Sequence, residues 1–237
     1  MKQALFFTFL VCLSSLYVMG QNTKNKKADC ELSQPTGVEE QHAYVDLGLS
    51  VMWATCNVGA MLPEDYGEYY VWGETETKED NSWRSYKWGN GEYRLTKYCT
   101  YSEYGNMDDK DSLDPEDDAA HVKWGGNWRM PTIAEMSELL EKCKWTWTKH
   151  NGVRGYKVTS KINGNSIFLP AAGSRGDIDI RNAGKEGCYW TSTVYNLKPY
   201  DAFLLALSPN DAYAVRVGRC GGNTIRPVIS IWAQNQK

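Results

Sequence analysis

The sequence is short of most features that would mark a function at once. Its three histidines, His42, His121 and His150, lie far apart, and it has no CxxC pair or Cys/His cluster, so no zinc site of those residues is expected. HExxH, a phosphate-cradling Walker loop and a Gly-x-Ser-x-Gly elbow are all missing; Ser174 in AAGSRG lacks the first glycine of that elbow. His121 sits near Asp117 and Asp118, yet no motif ties a nucleophile to it. No catalytic residue is assigned, and the chain reads as a non-enzyme. Basic runs are missing too, apart from NTKNKK at residues 22–27, which reads as a solvated tail. With a net charge of -3 the chain has nothing to track phosphate backbones, and neither nucleic acid nor anionic membrane is expected as a partner.

Apolar runs long enough to span a bilayer are also absent. The stretch ALFFTFLVCLSSLYVMG after Lys2 has the charged start, short apolar centre and small-residue exit of a secretory signal peptide, which places a signal at residues 1–20. The expectation is an exported protein, periplasmic, cell-surface or extracellular, with no membrane insertion after cleavage. Removing the signal takes away Lys2, leaving 25 Lys plus Arg against 29 Asp plus Glu and a net charge of -4. Residues 21–42, polar and holding Pro35 and Gly37, read as a flexible N-terminal tail. From there to residue 232 no linker-like break occurs, so residues 43–232 read as one domain.

What is present is aromatic, polar-edged and interrupted. Ten Trp and 15 Tyr against five Phe suit a loop-rich domain whose rings are half buried, and equally an exposed binding face. Short apolar runs separated by Gly, Asn and Asp predict strands at Ser50–Thr55, Tyr69–Trp72, Tyr156–Ser160, Ser166–Pro170, Cys188–Tyr195, Ala202–Ser208, Tyr213–Gly218 and Thr224–Ile229. One segment has a helical period: in TIAEMSELLEKC, Ile133, Met136, Leu139, Leu140 and Cys143 draw a single apolar stripe. Thr132 and Glu135 are spaced as a capping box, and Pro131 forces an extended entry at Met130. The reading is α+β, a twisted antiparallel sheet with one main helix and long loops. Outside the signal, Cys30, Cys56, Cys99, Cys143, Cys188 and Cys220 allow up to three disulfides to staple those loops, in any of 15 pairings.

YVDLGLSVMWATCNVGA, EDYGEYYVWGET, LDPEDDAAHVKWGGNWRMPTIAEMSELL, NGVRGYKVTSK, FLPAAGSR and a terminal IRPV follow one another in an order that resembles the Fibrobacter-type major paralogous (FISUMP) domain. The resemblance covers roughly residues 43–229. It implies a C-type-lectin-like fold, in the branch that also holds formylglycine-generating enzymes and the variable ligand-binding proteins of diversity-generating retroelements. In the enzyme branch the helix junction reads Arg-Leu-Pro-Thr-Glu-Ala-Glu, so Arg129, Pro131, Thr132 and Glu135 match a scaffold signature. Those enzymes use a closely spaced copper-binding cysteine pair, whereas Cys188 and Cys220 stand 32 positions apart, which argues against that oxidation. Cys56 and Cys143 adjoin scaffold motifs and are the first guess for a bridge.

Two constellations remain. MDDKDSLDPEDD is dense in hard oxygen ligands, and Asp114, Asp117 and Asp118 would be the ligands of a calcium ion; the competing and preferred account is a solvated loop whose carboxylates cap turns, with no cofactor. The Glu-Pro-Asn and Trp-Asn-Asp tripeptides of calcium-dependent lectins do not occur. In the C-terminal third, the resemblance to the retroelement-linked proteins puts ligand-contacting side chains on the sheet, and Tyr195, Tyr200, Tyr213 and Arg219 are the candidates, with Trp190 and Arg226 as scaffold. The expected function is a non-catalytic, adhesin-like domain for a glycan or extracellular protein. The alternatives are a structural envelope or fimbrial component and an oxidase of the formylglycine-generating type.

Overall fold

The computed structural model describes residues 31–90 and 94–230, so the expected signal and residues 21–30 of the expected tail, Cys30 among them, lie outside it. In chain order the elements are β1 (Gly37–Glu39), β2 (His42–Val45), β3 (Val51–Ala54), β4 (Tyr70–Val71), α1 (Ala119–Trp124), α2 (Ile133–Lys142), β5 (Cys143–His150), β6 (Val153–Ser160) and β7 (Ser166–Pro170). They continue with β8 (Ser174–Arg175), β9 (Ile180–Arg181), β10 (Gly187–Val194), β11 (Asp201–Leu207), β12 (Ala212–Gly218), β13 (Gly222–Asn223) and β14 (Val228–Ser230). The architecture is α+β and mostly β, but the single sheet expected is four small antiparallel ones. Their orders are β1-β2-β3-β14, β10-β11-β12, β4-β13-β8-β9 and β5-β6-β7.

The departures from the sequence pattern have local causes. Structure begins before Ala43, because Thr36 donates its N–H to Tyr44 O at 2.7 Å and β1 pairs with β2; residues 36–42 are therefore not tail. Of the predicted strand Thr224–Ile229 only Val228 and Ile229 are strand, in β14; Thr224 makes an isolated bridge with Tyr189, and Pro227, with no N–H to give a ladder, stands where the chain passes from β13, paired with β4 and β8, to β14, paired with β3. Helix α2 stops at Lys142, and Cys143 opens β5 at once, a strand hidden by the polar residues of CKWTWTKH. Its period-two rings, Trp145 and Trp147, pack edge-on against Tyr156 at 5.5 and 5.1 Å.

The Arg-Met-Pro-Thr junction joins three parts of the molecule. Arg129 exchanges backbone hydrogen bonds with Val228 of β14, 3.1 and 2.9 Å, and Pro131 O accepts Ser192 N of β10 at 2.8 Å. Thr132 Oγ1 accepts Glu135 N at 3.2 Å while Glu135 Oε2 accepts Thr132 N at 2.7 Å, a complete capping box. The Arg129 guanidinium grips both oxygens of Glu135 at 2.8 and 2.5 Å. A second clamp closes the core, where Arg226, 1% exposed, donates to Asn57 Oδ1, Ala54 O, Thr55 O and Phe168 O. Trp53, Trp72, Trp128 and Trp190 are fully buried around these clamps.

No disulfide staples the loops among the described residues: Cys56, Cys99, Cys143, Cys188 and Cys220 are free thiols. The expected Cys56–Cys143 bridge is not formed. Cys143 packs in the apolar cluster with Met136 and Leu139, and Cys56 Sγ lies 3.5 Å from Met61 O. Buried hydrogen bonds and ion pairs hold the long loops instead.

Candidate functional site

The long segment between β4 and α1 builds one surface together with the β10–β11 connection. Ser85 Oγ donates to Asp80 O at 2.5 Å, and Lys78 Nζ bridges Glu74 Oε1 and Ser85 O at 2.8 and 2.7 Å, so the 78–85 loop is pinned on itself. Asp108 accepts the N–H groups of Tyr98 and Cys99, both at 2.8 Å, and holds Tyr98 at φ 58°, a left-handed conformation that a bulky residue adopts only under such constraint. These pins align a series of rings: Tyr101 against Tyr104 at 6.4 Å, Tyr104 against Tyr200 at 5.2 Å, and Tyr200 against Trp83 at 5.4 Å, all edge-to-face. Tyr101 is exposed and the other three are half-buried, so the rings form a ridge with one wet side.

The sequence candidates distribute unevenly over this surface. Tyr200 sits in the ridge. Tyr195 starts the same connection, with Arg216 over its ring at 4.2 Å and Phe203 edge-on at 5.6 Å. Tyr213 is 47% exposed but pairs with Ala206, five ladder steps from the Asp201–Gly218 end, about 17 Å at strand rise, and belongs to another part of the edge. Arg219 is no surface residue. It is 0% exposed, its Nη1 donates to Tyr98 O at 3.1 Å, and its guanidinium lies 5.0 Å from the Trp72 ring and 5.3 Å from Tyr86. Its N–H donates to Tyr200 O at 2.9 Å, so it props the ridge from below. The sequence reading missed Trp83, Tyr101 and Tyr104, which carry no periodic signal because they stand in loops.

The acidic run is organised differently from the calcium reading. Asp114, Glu116 and Asp117 are the group of acids that converges among the described residues, their ligand atoms within 4.8 Å of one another. Asp118 is not in it. Buried to 4% exposure, Asp118 caps α1 through Ala120 N and His121 N at 2.9 and 3.2 Å and accepts Met130 N at 2.8 Å. Burial pushes its carboxyl up to about 6, against the pull of those three N–H donors. At the converging group an ammonium already takes the place of a cation: Lys97 Nζ lies 2.6 Å from Asp114, 2.7 Å from Asp117 and 3.7 Å from Glu116. Lys87 reaches Asp117 at 3.0 Å, Lys110 reaches Asp114 at 2.5 Å, and Tyr98 OH donates to Asp117 at 2.6 Å. Burial alone would raise Asp117, but hydrogen bonds from Lys97, Tyr98 and Lys87 outweigh it and hold the carboxyl low. Asp114 is lowered by Lys110 and then Lys97.

Four of the thiols are shifted by their surroundings. Burial pushes Cys143 and Cys188 up to about 11 and raises Cys99 and Cys220 as well, so these thiols stay protonated near neutral pH. His121 Nδ1 is 3.2 Å from Trp128 O, tied to the backbone of its own helix junction. No family model matches this chain, and no curated protein or solved structure matches it significantly.

Proposed function

We propose that the chain is an exported, non-catalytic binding domain of the FISUMP, C-type-lectin-like kind, adhesin-like in action, for a glycan or an extracellular protein. The observation that carries this reading is the ridge Tyr101, Tyr104, Tyr200 and Trp83, four polar-edged rings fixed edge-to-face on a pinned loop surface. Aromatic side chains anchor binding faces because they bury large area at little rotamer entropy. Here that entropy is already lost on folding, since the loops beneath are tied by Asp108, Lys78 and Arg219.

The test is binding of the exported protein to arrays of glycans and extracellular proteins, with calcium and with chelator. Saturable binding that weakens about tenfold or more in Tyr200→Ala and in Trp83→Ala, with the fold intact by circular dichroism, supports the reading; about 1.4 kcal/mol per tenfold is what losing one anchor ring costs at least. Unchanged binding in both variants removes the ridge from the interface. A protein that binds nothing on the arrays and co-purifies as a polymer is a structural envelope component.

A further inference from the structure

We infer that a cleft at the Trp83 end of the ridge is a calcium-independent subsite for a neutral sugar ring. The inference rests on the binding-domain reading above and adds the ligand class. The cleft, about 470 Å³, lies between the 80–84 loop and Asp177, beside Cys220. A second hollow of about 440 Å³ shares Asp80 and Asp177 with it and adds Arg175.

One buried group there lacks a partner. Asn81 is 4% exposed; its Nδ2 donates to Gly176 O at 3.3 Å, which orients the amide, while its Oδ1 finds no donor among the described residues. A buried amide oxygen left unpaired is destabilising, so the position favours a ligand that brings an O–H or N–H. The site is shaped around this amide: a side chain at residue 222 would strike Asn81 Nδ2 at 2.7 Å, and that residue is glycine. In the adjoining hollow the Nε–H of Arg175 is likewise buried and has no acceptor among the described residues.

The remaining chemistry selects the ligand. Asp80 and Asp177 are exposed and, among the described residues, form no ion pair and do not converge with Cys220 as the Asp114 group does, so they act as separate acceptors and not as a metal shell. Arg84 and Arg175 interleave with the carboxylates, which disfavours a lysine or arginine side chain as the occupant. Hydroxyls both donate and accept, and a ring with several of them matches alternating carboxylate, amide, hydroxyl and guanidinium groups. The half-buried indole of Trp83 supplies an apolar wall for the C–H face of such a ring.

The experiment is an NMR titration of the ¹⁵N-labelled full chain, in EDTA, with glucose, galactose, mannose and N-acetylglucosamine, and separately with a lysine-rich peptide. At least one sugar shifts the Asn81 side-chain amide, the Ser82 N–H and the Trp83 indole N–H saturably, with a Kd of about millimolar order. Asp177→Asn, at an exposed position that leaves the fold unchanged, and Ser82→Ala each weaken it about tenfold. If none of the four sugars moves those resonances, or only the peptide does, or binding needs calcium, the subsite is overturned. Array binding that survives Asp177→Asn and Ser82→Ala but falls with Tyr200→Ala keeps the ridge and discards the cleft; array binding indifferent to all three sinks both.

Discussion

Lys97 offers the sharpest perturbation, because it decides between an ammonium and a metal ion at the same three carboxylates. Lys97→Met keeps the length of the stem and deletes the charge that lies 2.6 and 2.7 Å from Asp114 and Asp117. Removing one member of a buried ion pair costs about 3–5 kcal/mol. The cost here is smaller, since Asp117 keeps Lys87 and Tyr98 and Asp114 keeps Lys110. About 2–3 kcal/mol remains, or roughly 5–10 °C in Tm for a domain of this size. Without the ammonium at their centre, Asp114, Glu116 and Asp117 become a less compensated oxygen cluster, of the kind calcium binds. Thermal unfolding is followed in chelator and in calcium. The native protein melts at one temperature in both; Lys97→Met melts lower in chelator and regains most of the loss in calcium, since a hundredfold excess over Kd is worth about 2.7 kcal/mol. A native protein stabilised by calcium, or a variant within about 0.5 kcal/mol of native with no calcium response, would refute the assignment.

Further predictions follow from the buried charges. Asp118→Asn keeps the α1 cap but turns an N–H toward Met130 N–H, and should cost about 2–4 kcal/mol in urea unfolding. Stability should also depend on pH in two opposed limbs. Asp114, Asp117 and Glu135 have lowered folded pKa values, so their contribution is present above about pH 4 and is lost as pH falls through those values. Asp118 works the other way, its protonated form being favoured in the fold until pH rises through about 6. Between about pH 4 and 6 the native urea midpoint carries the Asp118 limb and Asp118→Asn does not; identical profiles there would contradict the burial argument. The two core arginines should respond differently to the same change. Arg219→Met removes one hydrogen bond together with two donors that have no acceptor, Nε and Nη2, and should leave stability within about 1 kcal/mol. Arg226→Met strips donors from four oxygens and should cost about 3–5 kcal/mol, as measured by the same denaturant titration.

The elements that were legible in the sequence are those whose signal is local. Met136 and Leu139 face the core because a 3.6-residue period leaves no other arrangement, and Thr132 with Glu135 caps α2 because both partners lie within one turn. Strands β7 and β10 to β12 fall within a residue or so of their apolar runs. Strand β5 escaped notice because its alternating residues, Trp against Lys and Thr, read as a polar loop until Tyr156 is placed opposite. Arg219 was misjudged for a related reason: an arginine in a turn is polar by composition, and only the rings of Trp72 and Tyr86 around it make the position a core.

By itself the sequence determined an α+β chain rich in short strands, the capped helix after Arg-Met-Pro-Thr, and Trp190 and Arg226 as scaffold and not binding face; that Arg226 is fully interior came from the fold. Only the tertiary structure decided that β1, β2 and β14 share one sheet, that Lys97 sits among the carboxylates of the acidic run, and that Tyr101, Tyr104, Tyr200 and Trp83 align. The physical reason is range. Caps and periodicities act over three or four residues, whereas Lys97 meets Asp117 across a 20-residue separation and Tyr104 meets Tyr200 across the chain, contacts that no local pattern encodes.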